Sequence, residues 1–378
     1  MAPLVEPVRF AGPAGVMRRA ANGWTGAQYG VVRVLLAVAV ATGVSCAGGA
    51  TGVRAVALAA TVALAVGWAD RAAALLLAGL WPLAVGDAPL GSPVDFILVP
   101  GVLLVHAAVP RAPYGSVAAR GRVDPGGGWR RSRRSLVLTR VLLAVAVGGE
   151  AGLRLIGGAG LAPALLSVVQ VAALPFLLRG GGGAWVVAAV CHAGLLAAGA
   201  PPVSVYATPL LFALGFDPGW LPPSSPRVPL LVLYDGACGV CHRTVRLLLA
   251  EDASGQAFRF APLGGAAFAA AIPPASRAGL PDSIVVVAHD GAVLVRAAST
   301  IEIARALGGL WRVLAALVAL LPRRLADAGY DLLAANRKRL FATPADVCPL
   351  MPAHLRARFP DLPSPAAPDT PAPPPTNP

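Results

Sequence analysis

The chain has 378 residues, of which 56% are apolar and 13% charged, against about 45–50% and about 25% in soluble domains, so an ordinary soluble globular protein is excluded. The formal charge of +13 is divided unevenly, with net +9 over the strongly apolar residues 1–223 and net +4 over the more ordinary residues 224–378. Length admits two or three domains with their own cores, and composition makes the first a membrane part and the second a soluble one.

A basic chain prompts the thought of nucleic acid, since Lys and Arg neutralise phosphates. Here Arg111, Arg120, Arg122, Arg130, Arg131, Arg133 and Arg134 lie in one loop between hydrophobic runs. The positive-inside rule accounts for them, so the expected partner is the lipid bilayer and not nucleic acid.

A helical span needs about 20 mostly apolar residues. Candidate runs fall near residues 31–48, 52–68, 71–88, 94–110, 135–157, 161–178, 184–200 and 203–217, which makes residues 1–216 a polytopic membrane domain of six to eight helices. The first 28 residues carry no pattern of a cleavable signal peptide. The Arg asymmetry puts the N-terminal segment and the Arg111–Arg134 loop in the cytoplasm, four spans apart, and four further spans return the chain there. The expected location is therefore the cell membrane, multi-pass, with the C-terminal domain cytoplasmic.

Arg33, Asp95, Arg140, Glu150 and Arg154 fall at depth within these runs, where ionisable residues are functional candidates. Glu150 and Arg154 are four apart on one helical face and read as a mutually neutralising pair, with a substrate or proton site as the alternative. His106 and His192 stand alone on apolar runs and are expected to be satisfied by carbonyl groups. The segment from Trp24 to Leu36 resembles the start of HTTM-type membrane domains related to vitamin K-dependent carboxylases. That resemblance covers one helix start and implies no activity.

Residues 217–229 hold five prolines in thirteen positions and form the linker, because proline lacks a donor N–H and breaks helices. Residues 361–378 hold eight prolines in eighteen and read as a disordered tail. Between them strands and helices alternate. Strands are expected at 230–234, 258–262, 283–288 and 292–295, the last two joined by an Asp290-Gly291 turn, with helices at 240–249, 300–307 and 311–321. The βαβ, helix, ββα order is that of a thioredoxin-like α/β domain over residues 230–360. The apolar run 310–321 is too short to span and reads as a core helix, or, with Arg323 and Arg324 at its end, as a helix at the membrane face.

Cys238-Gly239-Val240-Cys241 sits where the first strand hands over to the first helix. Unpaired N–H groups and the helix dipole at such a position favour a thiolate, the species that attacks a disulfide. Cys238 is therefore the expected nucleophile and Cys241, one turn in, the resolving thiol. His242 and Arg243 follow, either as cations near the sulfur or as exposed first-turn residues. Asp235, three residues before Cys238, is either a carboxylate that accepts the resolving thiol's proton or an Asp-Gly turn residue that caps the helix. The competing chemistry for a CxxC is zinc, which takes four ligands. Only Cys348 and His354 are available as a second pair in this domain, so redox chemistry without a bound cofactor is favoured and zinc is the alternative.

The segment Asp235-Gly236-Ala237-Cys238-Gly239-Val240-Cys241 resembles the DGxCxxC opening of the DCC family of thiol-disulfide oxidoreductases. The resemblance continues in family order through Phe260-Ala261-Pro262-Leu263, Asp282 to Val287, Leu307-Gly308-Gly309-Leu310-Trp311, Pro322-Arg323-Arg324, Asp327 to Tyr330, Asn336-Arg337, Phe341, Cys348 and Arg358-Phe359. It implies a thioredoxin-like redox domain, sometimes joined to membrane segments, that acts on disulfide-containing proteins or small thiols. Thioredoxin-like proteins place a cis-proline immediately before the third strand, and Pro281 lies near that place. Cys348 is a third redox thiol or an inert buried one. Two other functions fit the same sequence: a quinone-linked electron relay to the CxxC, and a membrane scaffold or transporter whose CxxC domain binds zinc or a partner.

Overall fold

The computed structural model describes residues 23–86, 94–110, 115–119, 129, 131–199, 204, 206–222, 228–236, 238–252, 255–281, 283–340, 355 and 357–362. The chain divides into two compact units, one of residues 1–121 with 128–220, the other of residues 122–127 with 221–378.

The first unit is helical. It comprises α1 (Gly26–Ser45), α2 (Thr51–Val66), α3 (Asp70–Val85), α4 (Asp95–Ala107), α5 (Arg133–Ile156), α6 (Leu161–Arg179), α7 (Gly182–Ala197) and α8 (Ala207–Gly215). Successive helices from α1 to α4 and from α5 to α7 pack side by side, and α8 packs on α4 and α5. Sequence sets the helix ends. Thr25 caps α1, its hydroxyl accepting from Gln28 N–H while the Gln28 side chain accepts from Thr25 N–H. Gly67 closes α2 in the left-handed conformation (φ +69°), where a side chain would also strike Arg33 and Ser116.

Three helices, α1, α5 and α6, are long and apolar enough to cross a bilayer, with mean hydropathy of 1.6, 1.7 and 2.1. The other apolar runs form shorter helices, sixteen residues in α2, α3 and α7 and thirteen in α4. The unit exposes large apolar side chains and buries several ionisable ones among an apolar interior. Val38, Val62, Val145 and Val190 are exposed on four different helices, whereas Arg33, Asp70, Asp95, His106 and Glu150 are buried.

The expected Glu150–Arg154 pair is present at 3.6 Å, though Glu150 also meets His192 at 3.3 Å. The expectation that both histidines rest on carbonyl groups is corrected. His106 Nδ1 is 2.9 Å from the Tyr29 hydroxyl and its Nε2 is 3.8 Å from Asp70, so both histidines pair with side chains brought from other helices.

The second unit is built on a four-stranded sheet in the order β2-β1-β3-β4, from β1 (Leu230–Tyr234), β2 (Phe258–Pro262), β3 (Val285–Val287) and β4 (Val293–Leu294). β1 and β2 run parallel, with Val232 opposite Phe260; β3 is antiparallel to β1, with Val286 opposite Val232, and β4 is antiparallel to β3. The parallel pair needs a crossover, which α9 (Gly239–Glu251) supplies. Side chains alternate between the two faces of the sheet. One carries Leu230, Val232, Phe258, Phe260 and Val286, covered by Val245 and Leu248 of α9 and by Ile303 and Ala306 of α12 (Arg296–Leu307). The other carries Leu233, Ala261 and Val285 beneath Ile272, with the short helices α10 (Ala266–Ala271) and α11 (Pro274–Arg277) on the connection between β2 and β3.

The open edge of β2 is covered by a returning segment. Arg358 accepts Phe260 N–H at 2.8 Å, its guanidinium meets Asp252 at 2.7 Å, and Phe359 enters the core. Burial holds the Arg358 guanidinium below its ordinary range, while the Asp252 charge opposes that shift. Asp361 and Leu362, expected in the disordered tail, belong to this fold: Asp361 Oδ1 accepts Ala267 N–H at 2.8 Å and Leu362 packs on the core. Residues 363–378 lie outside the described residues.

The helix expected within the core at 311–321 is also corrected. It forms α13 (Gly309–Ala319), which buries Ala315 and leaves Leu317, Leu320 and Leu321 exposed, followed by α14 (Arg323–Leu340) with Leu325 and Leu332 exposed. A run of apolar residues in a helix turns part of itself outward unless neighbours surround it, and here they do not.

Candidate active site

β1 delivers the chain to the site. Its last residue, Tyr234, is followed by Asp235 and Gly236, and the carbonyl of Asp235 accepts Cys238 N–H at 3.2 Å, closing a tight turn. Cys238 is the N-cap of α9, with extended backbone (φ −94°, ψ 116°), and its carbonyl accepts His242 N–H at 3.1 Å as the first helical bond. The two cysteines thus fall on the strand-to-helix turn, one at the cap and one in the first turn.

Cys238 is 9% exposed and Cys241 3%, so the first sulfur is the one nearer the surface. Both are free thiols. The Cys238 side chain makes no capping hydrogen bond to the helix N–H groups, in contrast to the expectation that it lies against them. Its partner is Cys241, whose thiol hydrogen-bonds the Cys238 sulfur. Burial, then that hydrogen bond and the nearby Cys238 charge, push the Cys241 thiol up to about 12, and the Asp235 charge acts in the same direction. A backbone hydrogen bond from Asp235 opposes the shift. At neutral pH Cys241 is therefore a protonated donor facing a sulfur acceptor.

Asp235 is half-buried and close enough to Cys241 for its charge to be felt there, while its backbone meets the helix start through the carbonyl. His242 lies across the turn, half-buried. Its Nε2 is 2.7 Å from the Gly236 carbonyl and its ring meets Tyr234 edge-on at 5.8 Å. This positioning contact escapes sequence reading, which left His242 between a cation at the sulfur and an exposed residue; no spacing rule links a histidine to a carbonyl six residues upstream. Arg243 is exposed.

Two expectations change or fall outside the described residues. No peptide bond among the described residues is cis, so Pro281 does not provide a cis-proline beside the cysteines. Cys348 and His354, the second pair that a zinc site would require, lie outside the described residues, and no group of three or more His, Cys, Asp or Glu suited to a metal is found among those described. The remaining described cysteines, exposed Cys46 and buried Cys191, belong to the helical unit.

Residues 232–343 match the family model of DCC1-like thiol-disulfide oxidoreductases, a stretch that contains Asp235, Cys238 and Cys241. The chain is also similar to the uncharacterized protein YuxK of Bacillus subtilis strain 168, at 28% identity over 141 residues, covering 36% of this chain and 98% of that protein. No solved structure matches. Residues 232–343 of the C-terminal unit are thus similar to DCC1-like thiol-disulfide oxidoreductases.

Proposed function

We propose that the protein is a membrane-anchored thiol-disulfide oxidoreductase whose Cys238/Cys241 pair reduces disulfides of proteins or small thiols. The observation that carries this reading is the asymmetry of the pair: an outer sulfur at a helix N-cap hydrogen-bonded by an inner thiol held protonated up to about pH 12. The strand order β2-β1-β3-β4, with one parallel and two antiparallel pairings, supports a thioredoxin-like framework for it.

The chemistry balances within the site. Cys238, as thiolate, attacks one sulfur of the substrate disulfide; an S–S bond forms to Cys238 and the substrate's first sulfur leaves as a thiolate that takes a proton. Cys241 then loses its proton to Asp235 and attacks Cys238 Sγ. The mixed disulfide breaks, the second substrate thiol leaves with the proton from Asp235, and the enzyme is left with a Cys238–Cys241 disulfide. Two electrons pass from the dithiol to the substrate, and an external dithiol restores the reduced form.

The anchoring is supported by the large apolar side chains that the helical unit exposes, among them Val38, Val62, Val145 and Val190, while Arg33, Asp70, Asp95 and Glu150 are buried. With Arg-rich segments held on the cytoplasmic side, the redox domain faces a reducing compartment, where net reduction of substrates is the favoured direction. The test uses the full-length protein. Cys241→Ser should accumulate a mixed disulfide on Cys238, and Cys238→Ser should abolish turnover of a disulfide substrate with a dithiol donor. Turnover that survives Cys238→Ser, or stoichiometric zinc released by thiol alkylation, would move the assignment to a metal- or partner-binding domain.

A further inference from the structure

The second unit carries an apolar surface that the thiol chemistry does not use. α13 and α14 pack on α12. The inner side of α13 is held by buried Ala315 and by Trp311, whose indole N–H donates to Glu251 at the end of α9 at 2.8 Å. The inner side of α14 is held by its two carboxylates: Asp327 accepts Ala297 N–H at 3.2 Å and Asp331 meets Arg296 at 3.3 Å, both at the start of α12. The opposite sides are exposed. Val313, Leu317, Leu320 and Leu321 recur at i, i+4, i+7 and i+8 along α13 and the turn after it, and Leu325 and Leu332 at i and i+7 along α14. Leu320, at the turn between the helices, is 81% exposed and Leu332 67%.

Positive charge collects on the same two helices. Residues 309–340 hold six basic residues, Arg312, Arg323, Arg324, Arg337, Lys338 and Arg339, against Asp327 and Asp331, a net +4. That is the whole surplus of residues 224–378, whose remainder is neutral, with nine basic residues against nine acidic. Arg323 and Arg324 follow Pro322 directly after the exposed Leu320-Leu321 pair, and both are exposed. Arg323 meets Asp327 at 3.7 Å one helical turn on, yet its side chain stays 83% exposed.

We infer that this face of α13 and α14 docks on an anionic lipid surface, the leucines entering the headgroup boundary and the arginines meeting lipid phosphates. An interfacial helix combines a leucine-rich face with basic residues, so that apolar burial and attraction to anionic lipid act together. A second copy of the chain fits less well, since it would bring another +4 against this one. Nucleic acid would engage the arginines and leave the leucines in water. The membrane anchoring proposed above is the premise, because it keeps the domain within reach of a bilayer; the thiol chemistry is not.

The test is hydrogen–deuterium exchange of the full-length protein in nanodiscs of phosphatidylcholine alone and of phosphatidylcholine mixed with phosphatidylglycerol. Peptides from residues 309–340 should exchange more slowly in the anionic discs only, with those of β1 and α9 unchanged. Arg323→Gln combined with Arg324→Gln should weaken docking about 25-fold, at about fivefold for each basic residue at an anionic surface. Leu320→Ser combined with Leu321→Ser should weaken it at unchanged charge. The wild-type comparison needs no variant to fold. Equal exchange in the two discs, or slowing that both paired variants leave intact, would overturn the proposal. Slowing in both lipids that grows with protein concentration would overturn it in favour of a second copy. Retention in vesicles through an alkaline carbonate wash reports the anchoring separately: protein released by the wash would refute the anchoring, whereas retained protein with equal exchange in both discs would refute the docking alone.

Discussion

Replacing Asp235 by Asn separates the two halves of the disulfide exchange. With the Cys241 thiol pushed from 9.0 up to about 12, the fraction present as thiolate at pH 7 is about 10⁻⁵, against about 10⁻² for an unperturbed thiol. In the mixed disulfide the Cys238 charge is gone but burial, the largest cause, persists, so attack by Cys241 is slow unless a base takes its proton. Asp235, whose charge is felt at that thiol, is placed to do so. General-base catalysis contributes about 10²–10⁴-fold, so Asp235→Asn should slow resolution by that factor while the first attack by Cys238 changes little. The assay loads Cys238 with a chromogenic aryl thiol in a stopped-flow instrument and follows its release. In the variant the release rate should climb tenfold per pH unit through the neutral range, as expected when bulk hydroxide must remove the proton. Release at the wild-type rate with the wild-type pH profile would refute the assignment and leave Asp235 as a turn residue.

Other consequences can be checked on the same protein. The raised Cys241 value means that the neutral thiol's contribution to stability is complete below about pH 9 and is lost as pH climbs toward about 12. Denaturant titrations of the C-terminal unit should show the reduced form weakening over that window, while the oxidised form, with no thiol to titrate, does not follow. Asp252→Ala strands the Arg358 guanidinium, 5% exposed, in the interior. A loss of about 3–5 kcal/mol in unfolding free energy is expected; a loss under about 1 kcal/mol would show that the ion pair does not hold the returning segment. Phe260→Ala opens the core face between Val232 and Phe359 and should cost about 3–5 kcal/mol by the same measurement. His242→Ala removes the clamp on the Gly236 carbonyl and should loosen the turn, seen as faster amide exchange at Cys238 with both thiols still present.

What the sequence reveals about this fold follows the range of the forces involved. β1 and β2 are legible to the residue because short apolar runs bounded by turn residues have little alternative to being buried strands. The hairpin strands are shorter than their apolar runs, at Val285–Val287 and Val293–Leu294, since pairing with β1 and across the turn ends before the side-chain pattern does. α12 begins at Arg296, four residues ahead of the expected start, through a left-handed residue (φ +54°) that arginine seldom adopts. The cysteine pair and Asp235 are legible because a strand-to-helix turn and the CxxC spacing are local. Their inequality is not: it arises from burial and from a sulfur–sulfur hydrogen bond. In the helical unit the i, i+4 pair of Glu150 and Arg154 is visible in the sequence, whereas His192, Ser204 and Asp95 reach Glu150 only through helix packing.

The redox reading stands or falls on one measurement, a glutathione redox titration of the full-length protein with alkylation trapping and mass spectrometry of the Cys238–Cys241 peptide. A reversible intramolecular Cys238–Cys241 disulfide, forming and disappearing as a single two-electron transition, is the expected result. Two cysteines that stay independently alkylatable across the whole range, or a pair protected only by bound zinc, would contradict it.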